Sequence, residues 1–224
     1  MSDTAPPRSE PAVNAPWPLL GLIAALVLAH AWRSWLGAEP DAFAFSADDL
    51  AKGRWGSLFT HLFVHASWTH LLMNAVFILA FGSPVSRLMG SGPRGAIVFW
   101  IFFCVCGAAA ALGFAAVAAV MARLGLGPAD WALVGASGAA SGLMGATGRL
   151  LEGRGAIGPI WGKTVAGLTI AWIVVNLLLG LTGLTPGTAG APVAWQAHIL
   201  GYFAGLILIG PFAALAGVHA HLRR

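Results

Sequence analysis

The amino-acid sequence predicts an all-α polytopic membrane protein, and three observations carry that prediction. Of 224 residues, 58 % are hydrophobic and only 9 % charged, against roughly a quarter charged in soluble domains. Six apolar runs, at residues 17–35, 70–87, 96–121, 138–151, 165–184 and 197–218, mostly approach the ~20 helical residues that cross a hydrocarbon core of about 30 Å. The cations are also segregated. Arg87, Arg94, Arg149, Arg154, Lys163, Arg223 and Arg224 follow runs two, four and six, whereas Arg33, Lys52, Arg54 and Arg123 share the other side with Glu39, Asp41, Asp48, Asp49 and Asp130. Cytoplasmic loops collect Lys and Arg, so both termini are expected in the cytoplasm.

Taken in order, residues 1–16 are Pro-rich and read as a short disordered cytoplasmic tail, and 17–224 as one six-helix domain. The stretch LVLAHA (26–31) has the small-x-small form of a signal-peptide cleavage site, but Arg8 is offset by Asp3 and Glu10, so the basic leader is missing. The long first loop, 36–66, mixes acids with Phe43, Phe45, Leu50, Trp55 and Leu58, and is expected to lie on or in the outer leaflet. Cys104 and Cys106, two apart on a helix, face different ways and are read as packing residues. Trp17, Trp35, Trp131, Trp161 and Trp195 sit near helix ends, where indoles anchor at the headgroups.

The fourth helix is short. From Ser137 to Arg149 is twelve residues, or about 18 Å of helix against a core of about 30 Å. Its N-terminus is therefore expected to lie about 10 Å below the surface under a wet cavity, since lipid does not tolerate bare polar backbone. Gly138, Gly142, Gly145 and Ala146 on that helix, with Gly201 and Gly205 on the sixth, occur at spacings of three or four. Such small faces let helix backbones touch, so helices four and six are expected to pack together; the plainer alternative is that glycine is common in membrane helices. Net charge is +4, but its distribution follows the membrane, and no nucleic acid is implied.

Intramembrane polar residues are costly, so they mark function. They form three groups: HLFVHASWTHLLMN with His61, His65, His70 and Asn74; GASGAASG with Ser137 and Ser141; and AWQAHILG with Gln196 and His198. All fall at the outer ends of even-numbered helices, in one layer. His70 and Asn74, four apart, share a helix face. If helices four and six touch, the Ser137 hydroxyl comes within reach of the His198 imidazole, which can take its proton. The free N–H groups at the start of helix four suit a developing oxyanion. Each signal alone has a structural alternative: Ser137 as a helix cap, His198 as a hydrogen-bonding core residue. His61 and His65 have zinc-like spacing, but no H-E-x-x-H is present, and they are read as holding the loop or lining a water route; no metal is expected.

In FTHLFVHASWTHLLMN (59–74), RLMGSG (87–92), GASGAASGLMGA (135–146) and AHILGYFAG (197–205) the chain resembles the rhomboid family of intramembrane serine proteases, in family order over roughly residues 50–210. The resemblance implies a six-helix rhomboid-like bundle with Ser137 as nucleophile, His198 as base, and His70 and Asn74 with the Ser137 N–H as oxyanion hole. It implies no third acid. Three positions depart from the family pattern. Gly56 and Ser57 stand where a Trp-Arg pair is frequent, with Trp55 one place early; Ser86 replaces a glutamate; and Ser141 replaces an aromatic ring that packs on the base.

The expectation is a serine endopeptidase that needs no cofactor, cutting in or beside transmembrane segments of membrane proteins, in a bacterial inner membrane. Its partners are those substrates and the lipid. Substrate is expected to enter from lipid near helix five and the loop at 181–192, whose Gly183, Pro186, Gly187, Gly190 and Pro192 suit a lid. Two rivals stand beside it. A non-catalytic relative would bind transmembrane helices without cutting, and a transporter would need intramembrane charges or inverted repeats.

Overall fold

Apolar runs buried in lipid leave the backbone no partner but itself, so each run closes into a helix. A computed structural model of the protein describes residues 14–126, 131–183 and 193–218. It contains α1 (Trp17–Trp35), α2 (Ala47–Ala51), α3 (Ser57–Thr60), α4 (Trp68–Met89), α5 (Pro93–Arg123), α6 (Ser137–Glu152), α7 (Lys163–Thr182) and α8 (Trp195–Leu215). Among the described residues there is no strand, only an isolated bridge between Phe45 and Leu133. Helices α1, α4, α5, α7 and α8 are long and apolar enough to cross a membrane; α6, the expected short helix, has 16 residues. Of the expected tail only residues 14–16 are described, and of the expected lid only 181–183. Asp130, His219, His221, Arg223 and Arg224 also lie outside the described residues.

The helix ends follow local chemistry. α4 starts two residues before the apolar run because the Ser67 hydroxyl caps it, accepting from the His70 N–H at 3.1 Å. α5 starts at Pro93, whose fixed φ suits a first helical position. One end of the bundle is tied by Trp17 Nε1–H donating to the Ser91 carbonyl at 2.7 Å and Arg94 Nε–H donating to the Leu215 carbonyl at 2.7 Å. At the same end, Glu152 Oε2 caps α7 by accepting from the Thr164 N–H at 2.6 Å and the Val165 N–H at 3.3 Å. The basic turns expected on one side share this end, and the starts of α4, α6 and α8 share the other.

α6 is the axis of the bundle: residues 138–150 are all buried. It packs hardest on α8, as the small-residue faces predict. A Cβ on Gly201 would run into the Gly138 carbonyl, on Gly205 into the Gly142 carbonyl, and on Gly145 into the Tyr202 carbonyl. The two backbones therefore touch where the side chains are only hydrogens. α7 is the opposite case, with only Val165 and Asn176 buried.

The first loop is clipped to the segment ahead of α6. Phe45 exchanges both backbone hydrogen bonds with Leu133, at 2.9 and 2.8 Å, and its fully buried ring packs among Leu58, Ala110, Ala111 and Phe114. Within the loop, Ser46 and Asp49 form a capping box that starts α2, and Asp49 pairs with Arg54.

Gly205→Ala is expected to lower stability by about 1–3 kcal/mol or to block folding, because a methyl group meets fixed backbone. Gly167→Ala, where the added carbon meets nothing within 4 Å, is expected to leave stability unchanged or raised. Thermal unfolding of the purified variants in detergent reads the difference, and equal midpoints would contradict the contact.

Candidate active site

Each polar group of the layer is delivered by the start of a helix. His70 is the third residue of α4, Ser137 the first of α6 and His198 the fourth of α8. With Asn74 they line one cavity of about 290 Å³, whose walls include Met73, Phe77, Trp172, Leu179 and Val193. The four side chains placed together by sequence reasoning thus meet in space.

The central contact joins α6 to α8. Ser137 Oγ lies 2.8 Å from His198 Nε2, within hydrogen-bond range. The backbone N–H groups of Ser137, Gly138 and Ala139 precede the first α6 ladder bond, from the Ala140 N–H to the Ala136 carbonyl at 2.9 Å, so the first turn offers unsatisfied donors beside the hydroxyl. The chain reaches this turn through Gly135, at φ +105°, where a Cβ would also press on the His70 ring at 2.8 Å. Only glycine serves there.

His70 and Asn74 present donors to the same space. His70 Nδ1 accepts from the Ala66 N–H at 3.4 Å; in the neutral ring this leaves the proton on Nε2. Asn74 is buried and spends one amide hydrogen on the His70 carbonyl, at 3.0 Å, keeping the second for the cavity.

His61 and His65 act on the loop that carries Ser137. The His61 carbonyl accepts from the Gly135 N–H at 2.9 Å, and its ring Nδ1 meets the Ser57 carbonyl at 2.9 Å. His65 Nε2 accepts from the Ala136 N–H at 3.5 Å. Burial pushes the His61 ring down to about 4. His65 falls to about 3 through burial, then through His70, His30 and Arg33 nearby. Both are neutral at physiological pH, so His65 is free to accept. Among the described residues no three His, Cys, Asp or Glu side chains converge as a metal site would need.

Ser141, where the family pattern has an aromatic ring, donates to the Ser137 carbonyl at 2.7 Å. The ring of His198 is met instead from α7. Trp172 lies with its ring centroid 6.2 Å away and tilted by 36°, and Asn176 Oδ1 lies 2.7 Å from His198 Nδ1. Sequence reasoning missed both. The available signal was a single Asn in the middle of the fifth apolar run, an intramembrane polar residue outside the three groups.

A family model described as Rhomboid domain matches residues 52–214 of the chain. No curated protein matches it.

Gly135→Ala is expected to slow covalent labelling of Ser137 by a fluorophosphonate at least tenfold, since it strains the backbone by about 1–3 kcal/mol and displaces His70. Labelling at the rate of the unaltered protein would remove Gly135 from the site.

Proposed function

The chain belongs to the rhomboid family, and on that premise we propose that it is an intramembrane serine endopeptidase cutting in or beside transmembrane segments of other membrane proteins. The observation that carries this reading is the 2.8 Å contact between Ser137 Oγ and His198 Nε2 at the floor of a cavity. His198 accepts the hydroxyl proton as Ser137 attacks the scissile carbonyl, and the ring then gives that proton to the leaving amine. Water attacks the resulting acyl-enzyme with His198 again as base, releasing the second product and restoring the hydroxyl. The developing oxyanion sits against the Ser137 N–H, His70 Nε2–H and the free Asn74 amide hydrogen, donors held in place before the substrate arrives. Every proton moves among these side chains, the substrate and the attacking water.

Substrate reaches the site from lipid beside α7, which buries only two of its residues against the rest of the bundle. A peptide must leave its helix to present a carbonyl to Ser137, so helix-weakening residues beside the cut are part of the proposal. Clustering of Lys and Arg at the end opposite the site supports cytoplasmic termini and an outward-facing cavity; the membrane proposed is a bacterial inner membrane, with residues 17–224 acting as one domain behind a short tail.

The test uses purified protein in detergent with a transmembrane-segment substrate. Wild type is expected to cleave it and to take a fluorophosphonate, while Ser137→Ala and His198→Ala do neither. Cleavage surviving in Ser137→Ala would refute the nucleophile, and an inert wild type would return the non-catalytic helix-binding reading. His70→Ala and Asn74→Ala are each expected to fold and to lose about 2.7–4 kcal/mol of transition-state stabilisation, roughly a hundred- to thousandfold in kcat; unchanged rates would remove them from the oxyanion hole.

A further inference from the structure

We infer that Asn176 is a positioning residue that holds His198 in the tautomer a general base requires, making Ser137, His198 and Asn176 a chain of three. The inference rests on the peptidase reading above.

Asn176 is fully buried in the middle of a largely apolar helix, a placement that is costly unless both ends of the amide are satisfied. They are. Its Nδ2 donates to the Trp172 carbonyl at 2.9 Å, and its Oδ1 lies 2.7 Å from His198 Nδ1. These partners fix the proton positions. A backbone carbonyl only accepts, so the NH₂ of Asn176 must face Trp172 and its oxygen must face the imidazole. That oxygen only accepts too, so His198 Nδ1 must carry the hydrogen. The neutral ring then has a bare Nε2, which is the atom 2.8 Å from Ser137 Oγ. The opposite tautomer would set two acceptors face to face at Nδ1 and leave no base at Nε2.

The same turn of α7 holds the backbone of His198, because Trp172 Nε1–H donates to the His198 carbonyl at 3.4 Å. One face of α7, from 172 to 176, therefore fixes both ring and main chain of the base. An amide oxygen carries no full charge, so Asn176 contributes orientation and tautomer more than stabilisation of the imidazolium.

The test combines kinetics with ¹⁵N-histidine NMR of the full chain in detergent. Wild-type His198 is expected to carry its hydrogen on Nδ1; a hydrogen on Nε2 overturns the inference whatever the variants do. Asn176→Leu keeps the size and removes the acceptor. It is expected to lose roughly 10- to 100-fold in kcat, the range for a hydrogen bond to a group that becomes charged, with KM within about twofold and a mixed tautomer at His198. Asn176→Asp, which restores an acceptor oxygen, is expected to recover most of that loss. A wild-type kcat in Asn176→Leu, or an Asn176→Asp no better than Leu, overturns the role of Asn176 alone. A wild type that neither cleaves nor takes the probe overturns the peptidase reading, and this one with it.

Discussion

The approach of α6 to α8 is the constraint on which the remaining structure depends. A hydroxyl on one helix and an imidazole on another can share a hydrogen bond only if the two backbones come closer than ordinary side chains allow. Gly201 and Gly205 on α8 and Gly145 on α6 leave room for that approach, where a Cβ would run into the facing backbone. Lipid supplies little hydrophobic drive for such contact, so close backbone packing carries it. The 2.8 Å contact of Ser137 with His198 sits at the start of this seam.

Around that seam, two outer elements position Ser137 and His198. The first loop grips the segment leading into Ser137 through three backbone sites: Leu133 by Phe45, Gly135 by the His61 carbonyl, and Ala136 by the His65 ring. Neutral histidines suit this work, since a charged His65 could not accept a hydrogen bond and would sit unpaired in a buried place. On the other side α7 supplies Trp172 and Asn176 to His198. The helix with the least burial of its own thus holds the group that most needs orientation, and drawing α7 away by an ångström or two would break the 2.7 Å contact to His198. In the proposed reading, substrate entry and base positioning meet on the same helix.

Much of this was legible in the sequence because lipid simplifies the code. Apolar runs gave the long helices to within about three residues, and the small-residue spacing gave the α6–α8 contact. The grouping of Ser137, His198 and His70 was legible because each lies in the first turn of its helix, with Asn74 one turn along from His70. The interior of the first loop was not: the Phe45–Leu133 pairing joins residues 88 apart and leaves no periodic trace. Asn176 was missed because its partner is 22 residues away on the next helix, and a lone amide in an apolar run has no pattern of its own. The departure at Ser141 touched the surroundings of His198, and the ring beside that histidine is Trp172, on a different helix.

The central claim is that Ser137 attacks while His70 and Asn74 receive the oxyanion, and a structure of the protein after reaction with a fluorophosphonate tests it most directly. The account predicts phosphorus bonded to Ser137 Oγ, fluoride lost, and the phosphonyl oxygen within hydrogen-bond distance of His70 Nε2 and the Asn74 amide. An adduct on another residue, or a phosphonyl oxygen turned away from both donors, would contradict it.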